Sequence, residues 1–279
     1  MTDEEKKEEY EALLAIFKRF LSVSSDMDRK EIIEELMSLR AEFAISHAVK
    51  GFNMDWEKAL EIVRTSDSIL SAQEQQERDI LVAAIDNLVD FAVAEEYQML
   101  IDVDELAEEI EETEDEDKFI EQIMTIFSKY NKTYAAVENL DATYAMSVAF
   151  QLYKISKGAT LMYMTQGDER VRPWHLQFEG FTATKRDFPA WLIPPIEHQC
   201  RCYLVEVDDT TAGDKTGIRS VMNSATPEMP DWFNRTFKES VALGGRIFSD
   251  EHPYFEIHSE DVDVLREIAD KIKSRYFNE

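Results

Sequence analysis

The sequence predicts an α+β fold, with a mainly helical, acidic N-terminal region followed by a smaller mixed α/β domain. Helix breakers are the first reason, because all seven prolines lie at or after Pro173 and only Gly51 and Gly158 precede Gly167. The second reason is that apolar residues recur at helical spacing through most of the first 160 residues. After that point, short apolar stretches alternate with turn-forming residues, which is typical of strands and loops.

The N-terminal helices can be placed from their start signals and their periodicity. Thr2 and Glu5 form a capping box, in which each side chain satisfies a free backbone N–H, so a helix is predicted to begin there. Ser25 or Asp26 is expected near the start of the second helix. The next segments predicted as helices are SSDMDRKEIIEELMSLRAEFAISHAV, MDWEKALEIVRTS and AQEQQERDILVAAIDNLVDFAVAEEYQML.

The segment DVDELAEEIEETEDEDKFIEQIMTIFSKY is the most acidic part of the chain. A calcium-binding loop needs alternating oxygen ligands and a glycine at its sharp turn. This segment has no glycine, and its carboxylates follow helical spacing. We therefore expect a solvated helix face, with a helix break near residues 115–117.

The later part of the chain is predicted to mix helices, strands and loops. A helix over TYAAVENLDATYAMSVAFQLYKISKGA ends near Gly158, and TLMYMT and RCYLVEV are predicted as strands. DDTTAGDKTG is rich in turn formers, and PDWFNRTFKESVA is predicted as a short helix closed by Gly244 and Gly245. A terminal helix over SEDVDVLREIADKIKSRYF is expected to be capped by Ser259. The predicted regions are 1–120 (acidic and helical), 121–207 (mixed domain) and 208–279 (C-terminal extension).

Charge and composition exclude several classes of partner. The net charge is −28, and residues 1–150 carry 37 acidic and 14 basic residues, against 21 and 16 in residues 151–279. An acidic surface repels phosphate, so we expect no direct nucleic-acid contact by the acidic region. No apolar run approaches the roughly 18–20 residues of a membrane span, and the N-terminus lacks the pattern of a signal peptide, so no membrane partner is expected. Two cysteines so close in sequence suit a reducing compartment.

Motifs that would indicate an enzyme are missing from the sequence. There is no G-x-S-x-G, no G-x-G-x-x-G, no Walker A motif and no H-E-x-x-H. We therefore expect a protein without enzymatic activity.

One segment combines histidines, cysteines and charged residues: GDERVRPWHLQFEGFTATKRDFPAWLIPPIEHQCRCYLVEV. Its two histidines and two cysteines would supply an N2S2 set that tetrahedral zinc accepts. Three alternatives remain open: a compact hydrogen-bonded turn, a cysteine nucleophile paired with a histidine, and a strained disulfide across one residue. The candidate metal ligands are His175, His198, Cys200 and Cys202.

The charged and aromatic residues of the same segment have a structural interpretation. Asp168 is expected to pair with nearby arginines, although Arg172 and Arg201 are also suited to bind a carboxylate. Trp174 and Trp191 are predicted to anchor the core.

The ordered combination DERVRPWH, FEG, PP and CRC resembles the C-terminal domain of phage Mu F-like head morphogenesis proteins, also called minor head proteins. The resemblance covers about residues 125–207, and the preceding helix AAVENLDATYAMSVAFQLYKISKG is similar to that of the family. The chain departs from the pattern at residues 162–164, where the family often has a tryptophan, and at Phe178 and Glu179. The positions that match are Asp168, Arg172, His175, Gly180, Pro194, Pro195, Cys200, Arg201 and Cys202.

The resemblance implies a low-copy structural component of a tailed-phage head, acting near the portal in procapsid assembly and in DNA packaging or delivery. It implies the portal protein, the major capsid protein or a scaffold protein as partner. The implied location is the interior of the virion head, with host cytoplasm during assembly. The matching residues are then a structural signature without a catalytic role, and no cofactor is expected. The alternatives are a metal- or cysteine-dependent enzyme packaged in the head, and an acidic helical interaction module.

Overall fold

The computed structural model describes residues 1–109, 116–207, 228–231, 233 and 235–278. In these residues the protein is mainly helical and contains a small antiparallel sheet, which confirms the predicted α+β class. No helix in the described part of the chain is both long enough and apolar enough to span a membrane.

Seven α-helices account for most of the described structure, and a π-helical turn at Lys129–Tyr134 joins the fifth to the sixth. The helices are α1 (Asp3–Ser22), α2 (Asp26–Gly51), α3 (Trp56–Arg64), α4 (Ala72–Glu109), α5 (Glu116–Ser128), α6 (Ala135–Tyr153) and α7 (Val262–Phe277). The capping box of α1 is confirmed, because Glu5 N donates to Thr2 Oγ1 at 3.1 Å and Thr2 N donates to Glu5 Oε2 at 2.7 Å. The predicted break near residues 115–117 falls partly outside the described residues, and α5 begins at Glu116.

Two predictions for the C-terminal extension are wrong. The residue before α7 is Asp261, while the hydroxyl of Ser259 donates to Glu260 and does not cap the helix. The segment predicted as a short helix contains two 3-10 turns, Arg235–Phe237 and Val241–Leu243. Ser240 between them is extended and its hydroxyl accepts from Ala242 N, which starts a new turn instead of continuing a helix. The predicted loop DDTTAGDKTG lies outside the described residues.

The two strands predicted from alternation are confirmed, and a third short strand joins them. The strands are β1 (Thr160–Met164), β2 (Thr182–Thr184) and β3 (Tyr203–Val207). β1 lies in the middle and pairs antiparallel with both neighbours. Met164 faces Tyr203 in the register, so the start of β3 lies beside the end of β1.

By its internal contacts, the chain divides into two units, each assembled from separated segments. The first unit combines Met1–His47, Ile85–Leu140 and His252–Glu279, and the second combines Ala48–Ala84 and Asp141–Glu251. The domain limits predicted from the sequence, at residues 120 and 207, stay a prediction.

The first unit has an apolar core and, apart from it, a buried charged cluster. Phe17 and Phe127 stack in the apolar core with ring centroids 4.5 Å apart. Arg40 is the centre of the charged cluster: its Nε lies 2.7 Å from Glu95 Oε2, and its Nη2 lies 3.0 Å from Glu138 Oε2. Burying three carboxylates with one guanidinium leaves an excess of negative charge that the fold must neutralise. The residues of this cluster are Arg40, Glu95, Glu96, Asn131, Glu138 and Asn139.

Glu96 lessens this excess of negative charge, because its buried position favours the neutral carboxyl. Burial raises the pKa of Glu96 to about 7, although Arg40 and a hydrogen bond from Asn131 act against the rise. Burial also raises the pKa of Glu95 well above its ordinary value. Asn131 lies in the π-helical turn and donates to Glu96 Oε2 at 3.3 Å, while Glu96 Oε1 has no hydrogen-bond partner among the described residues. Burial therefore favours the neutral forms of both carboxyls, which reduces the excess negative charge of the cluster.

The second unit contains the sheet and a core of aromatic and aliphatic side chains around it. Trp191 is buried in that core and Trp174 packs against it, which agrees with their predicted role as anchors. The rings of Trp191 and Phe233 meet edge to face at 5.3 Å. The buried core residues are Val148, Leu152, Leu161, Tyr163, Phe178, Phe181, Phe188, Trp191, Leu192, Ile193, Ile196, Cys200, Cys202 and Phe233.

Candidate functional site

Three pieces of the second unit converge on the histidine and cysteines singled out in the sequence. The pieces are β1, a 3-10 turn at His175–Phe178, and the loop that leads into β3. Beyond the turn, Gly180 N donates to the Tyr163 carbonyl and Tyr163 N donates to the Phe181 carbonyl, both at 2.9 Å. Gly180 has a φ of 82°, a conformation that favours glycine, so its place in the motif has a local backbone reason.

His175 meets both thiols inside the core. Its Nδ1 lies 3.1 Å from Cys202 Sγ and 3.9 Å from Cys200 Sγ. The three ligand atoms all lie within 4.8 Å of one another. The residues are 2–4% exposed, and both thiols are free. The C-x-C spacing therefore brings both sulfurs to one imidazole nitrogen.

The two thiols differ in their acidity. Hydrogen bonds with Cys202 and His175 lower the pKa of Cys200 to about 5, against the effect of burial. The same contact with Cys200, together with burial, raises the pKa of Cys202 well above its ordinary value. Burial acts to lower the pKa of His175, but hydrogen bonds with Cys200 and Glu197 raise it on balance. These directions favour a thiolate at Cys200, close to an imidazole and a second thiol.

A carboxylate orients the imidazole from its other side. Glu197 Oε2 lies 3.3 Å from His175 Nε2, and Glu197 Oε1 lies 3.2 Å from Arg172 Nε. Arg172 Nη2 also donates to the His198 carbonyl at 2.9 Å. Arg172, which lies just before the 3-10 turn at His175–Phe178, thus contacts the loop that leads into β3. Glu197 in turn fixes which nitrogen of His175 faces the thiols.

His198, predicted as a fourth metal ligand, is directed elsewhere. Its Nδ1 bonds with Asp141 Oδ2 at 2.9 Å, and its ring meets Phe237 edge to face at 5.0 Å. Gln199 follows in a left-handed conformation with a φ of 58°, and its N–H donates to Asp141 Oδ1 at 2.7 Å. Asp141, on α6, therefore holds two consecutive residues: His198 by its ring and Gln199 by its backbone N–H. As a result, His175 and the cysteines form the cluster without His198.

The remaining motif residues surround the cluster. Arg201 and Asp168 form a bidentate ion pair, at 2.9 and 2.7 Å, as the sequence predicted. Both side chains are partly exposed, so the pair fixes geometry more than it adds stability. Pro194 and Pro195 are buried, and the following Ile196 is fully buried in the core.

Three residues beside the cluster were not predicted as part of it from the sequence: Tyr144, Tyr163 and Glu197. The Tyr144 hydroxyl donates to the Cys202 carbonyl. The Tyr163 hydroxyl is buried close enough to Cys202 to influence the pKa of that thiol, and it has no hydrogen-bond partner of ordinary geometry among the described residues. The sequence had marked Tyr163 only as one of residues 162–164, where the chain departs from the pattern that it otherwise resembles. Glu197 directly precedes His198 in the sequence and had no separate signal.

The arrangement is suited to binding a soft cation and poorly suited to attacking a substrate. Imidazole nitrogen and thiolate sulfur are the donors that zinc prefers. A nucleophilic cysteine must reach its substrate, and Cys200 is only 4% exposed. Comparisons of the chain with known protein families, curated proteins and solved structures found no match.

Proposed function

We propose that this protein is a structural minor head protein of a tailed phage, with residues 121–207 as its head-morphogenesis domain. One observation supports the proposal most strongly: four residues from the two ends of the motif, Arg172, His175, Cys200 and Cys202, belong to one connected group in the second unit. Arg172 contacts Glu197, Glu197 contacts His175, and His175 contacts both cysteines. If these short sequence elements matched the family pattern only by chance, their residues would have no reason to lie in contact with one another.

The contacts of the motif residues favour a structural role over a catalytic one. The histidine and cysteines are buried. The ion pair between Asp168 and Arg201 fastens the loop after β1 to the segment that leads into β3. Gly180 permits the turn that returns the chain to β1. The motif therefore acts as a clamp that holds a small sheet and two long loops in one arrangement.

The acidic helices supply the proposed docking surface. The first 150 residues carry 37 acidic side chains, and many of those on α1, α2 and α4 are exposed. Such a surface attracts a basic protein face and repels DNA. We therefore propose the portal protein as the first partner, with the capsid or scaffold protein as the other candidates, inside the head and in few copies.

The test is co-purification from cells that express the full chain together with the portal, capsid and scaffold proteins of its own gene cluster. We expect tagged portal protein to retain the chain at low salt and to release it as the salt concentration rises, because exposed charges are screened. A matched variant with four exposed glutamates of α1 and α2 changed to glutamine should bind more weakly. Failure of portal, capsid and scaffold proteins all to retain the chain would refute the proposal.

A further inference from the structure

The buried histidine and cysteines satisfy the requirements of a metal site, and we propose that His175, Cys200 and Cys202 bind one zinc ion. The proposal is independent of the proposed function, because it depends only on the geometry of these side chains. The zinc ion would join the 3-10 turn to the start of β3 and so reinforce the motif from inside.

The distances fit tetrahedral coordination. With Zn–S bonds of about 2.3 Å and Zn–N bonds of about 2.0–2.1 Å, tetrahedral angles place a nitrogen and a sulfur ligand about 3.5 Å apart. His175 Nδ1 lies 3.1 Å from one sulfur and 3.9 Å from the other, on either side of that value. Changes of a few tenths of an ångström would equalise them. Both thiols would bind as thiolates and the imidazole as its neutral form, with the displaced protons released to solvent.

The surroundings of His175 match those of a zinc-bound histidine. Ligating histidines almost always bond through their second nitrogen to a carboxylate, a carbonyl or water. Here Glu197 Oε2 lies 3.3 Å from Nε2, and Arg172 holds the other carboxylate oxygen. Glu197 is therefore a positioning residue: it leaves Nδ1 to face the two sulfurs.

Three protein ligands leave a fourth coordination position open, as in the zinc sites that hold a water molecule or a substrate there. The Tyr163 hydroxyl is buried beside Cys202, close enough to interact with that thiol. His198 takes no part, because its Nδ1 bonds with Asp141.

The test measures metal content in the full chain purified under reducing conditions, without chelators, from zinc-supplemented cells. We expect about one zinc ion per chain by mass spectrometry, and loss of most of it in Cys200→Ser, Cys202→Ser and His175→Ala. His198→Asn is the matched control, because asparagine can still donate to Asp141, and it should keep its zinc. Glu197→Gln should keep the stoichiometry but bind zinc about 10–100-fold more weakly.

A second measurement avoids variants that fail to fold. Cobalt added to the chelator-treated wild-type chain should give the visible absorption of tetrahedral Co²⁺ with thiolate ligands. A wild-type chain that binds neither metal would overturn the site, and so would zinc that persists in the double cysteine variant. Wild-type protein that enters heads but binds neither zinc nor cobalt would refute the site alone, whereas zinc-loaded protein excluded from heads would refute the proposed function alone.

Discussion

Replacing Glu96 by glutamine should stabilise the first unit, by an amount that depends on pH. The carboxyl has a pKa of about 7 in the fold and about 4.5 when unfolded, because burial disfavours its charged form. The folded state therefore binds the proton more tightly, and the contribution of Glu96 to stability falls as the pH rises from about 4.5 to about 7. Above that range, the cost of ionising the side chain is about 3 kcal/mol. Glutamine stays neutral, so Glu96→Gln should add almost nothing at pH 4.5 and about 3 kcal/mol at pH 8.

Urea unfolding followed by far-UV circular dichroism between pH 4.5 and pH 8 measures this difference. Asn131 can still donate to the glutamine oxygen, so the hydrogen bond to the π-helical turn is kept. Glu105→Gln is the control, because Glu105 is exposed on the same helix, and it should show no comparable gain at high pH. An equal effect of Glu96→Gln at pH 4.5 and pH 8 would show that Glu96 is not the proton-binding group of the cluster.

Three further substitutions test other contacts by urea or thermal unfolding. Arg40→Met leaves Glu95 buried without its cation and should cost about 3–5 kcal/mol at pH 8. The loss should be smaller at lower pH, because burial raises the pKa of Glu95 and the neutral carboxyl needs no cation; a neutral effect would contradict the buried pairing. Asp141→Ala removes the acceptor of His198 and should cost about 1–3 kcal/mol, whereas an unchanged stability and unchanged His198 NMR signals would show that Asp141 does not hold His198. Gly180→Ala forces a side chain into the left-handed region and should cost about 1–2 kcal/mol, and wild-type stability would contradict the assigned turn.

Local signals explain which parts of the fold could be predicted from the sequence. The capping box of α1 involves residues three apart, and the strands β1 and β3 show alternation within their own length. The 3-10 turns near Ser240 could not be foreseen, because the segment has helical composition and one extended residue interrupts it. Ser259 could cap only a helix that begins at Glu260, and α7 begins two residues later, at Val262.

The candidate site was predictable for the cysteines and for His175 but not for His198. A single intervening residue brings two cysteines close together, and the same segment offered His175 and His198 as the nitrogen ligands. The direction of His198 depends on Asp141, 57 residues earlier in the chain, and on the left-handed conformation of Gln199. Neither is visible in local sequence. The buried cluster around Arg40 had one weak signal, because Glu95 and Glu96 interrupt an otherwise apolar stretch of α4.

The protein content of purified heads tests whether the chain is, as proposed, a structural component of a phage head. Particles assembled from the gene cluster that encodes the chain should contain it in a few copies per head by quantitative mass spectrometry. It should also resist protease added outside intact heads, and become accessible to protease once the heads are opened. Heads that assemble fully and contain none of the chain would contradict the account.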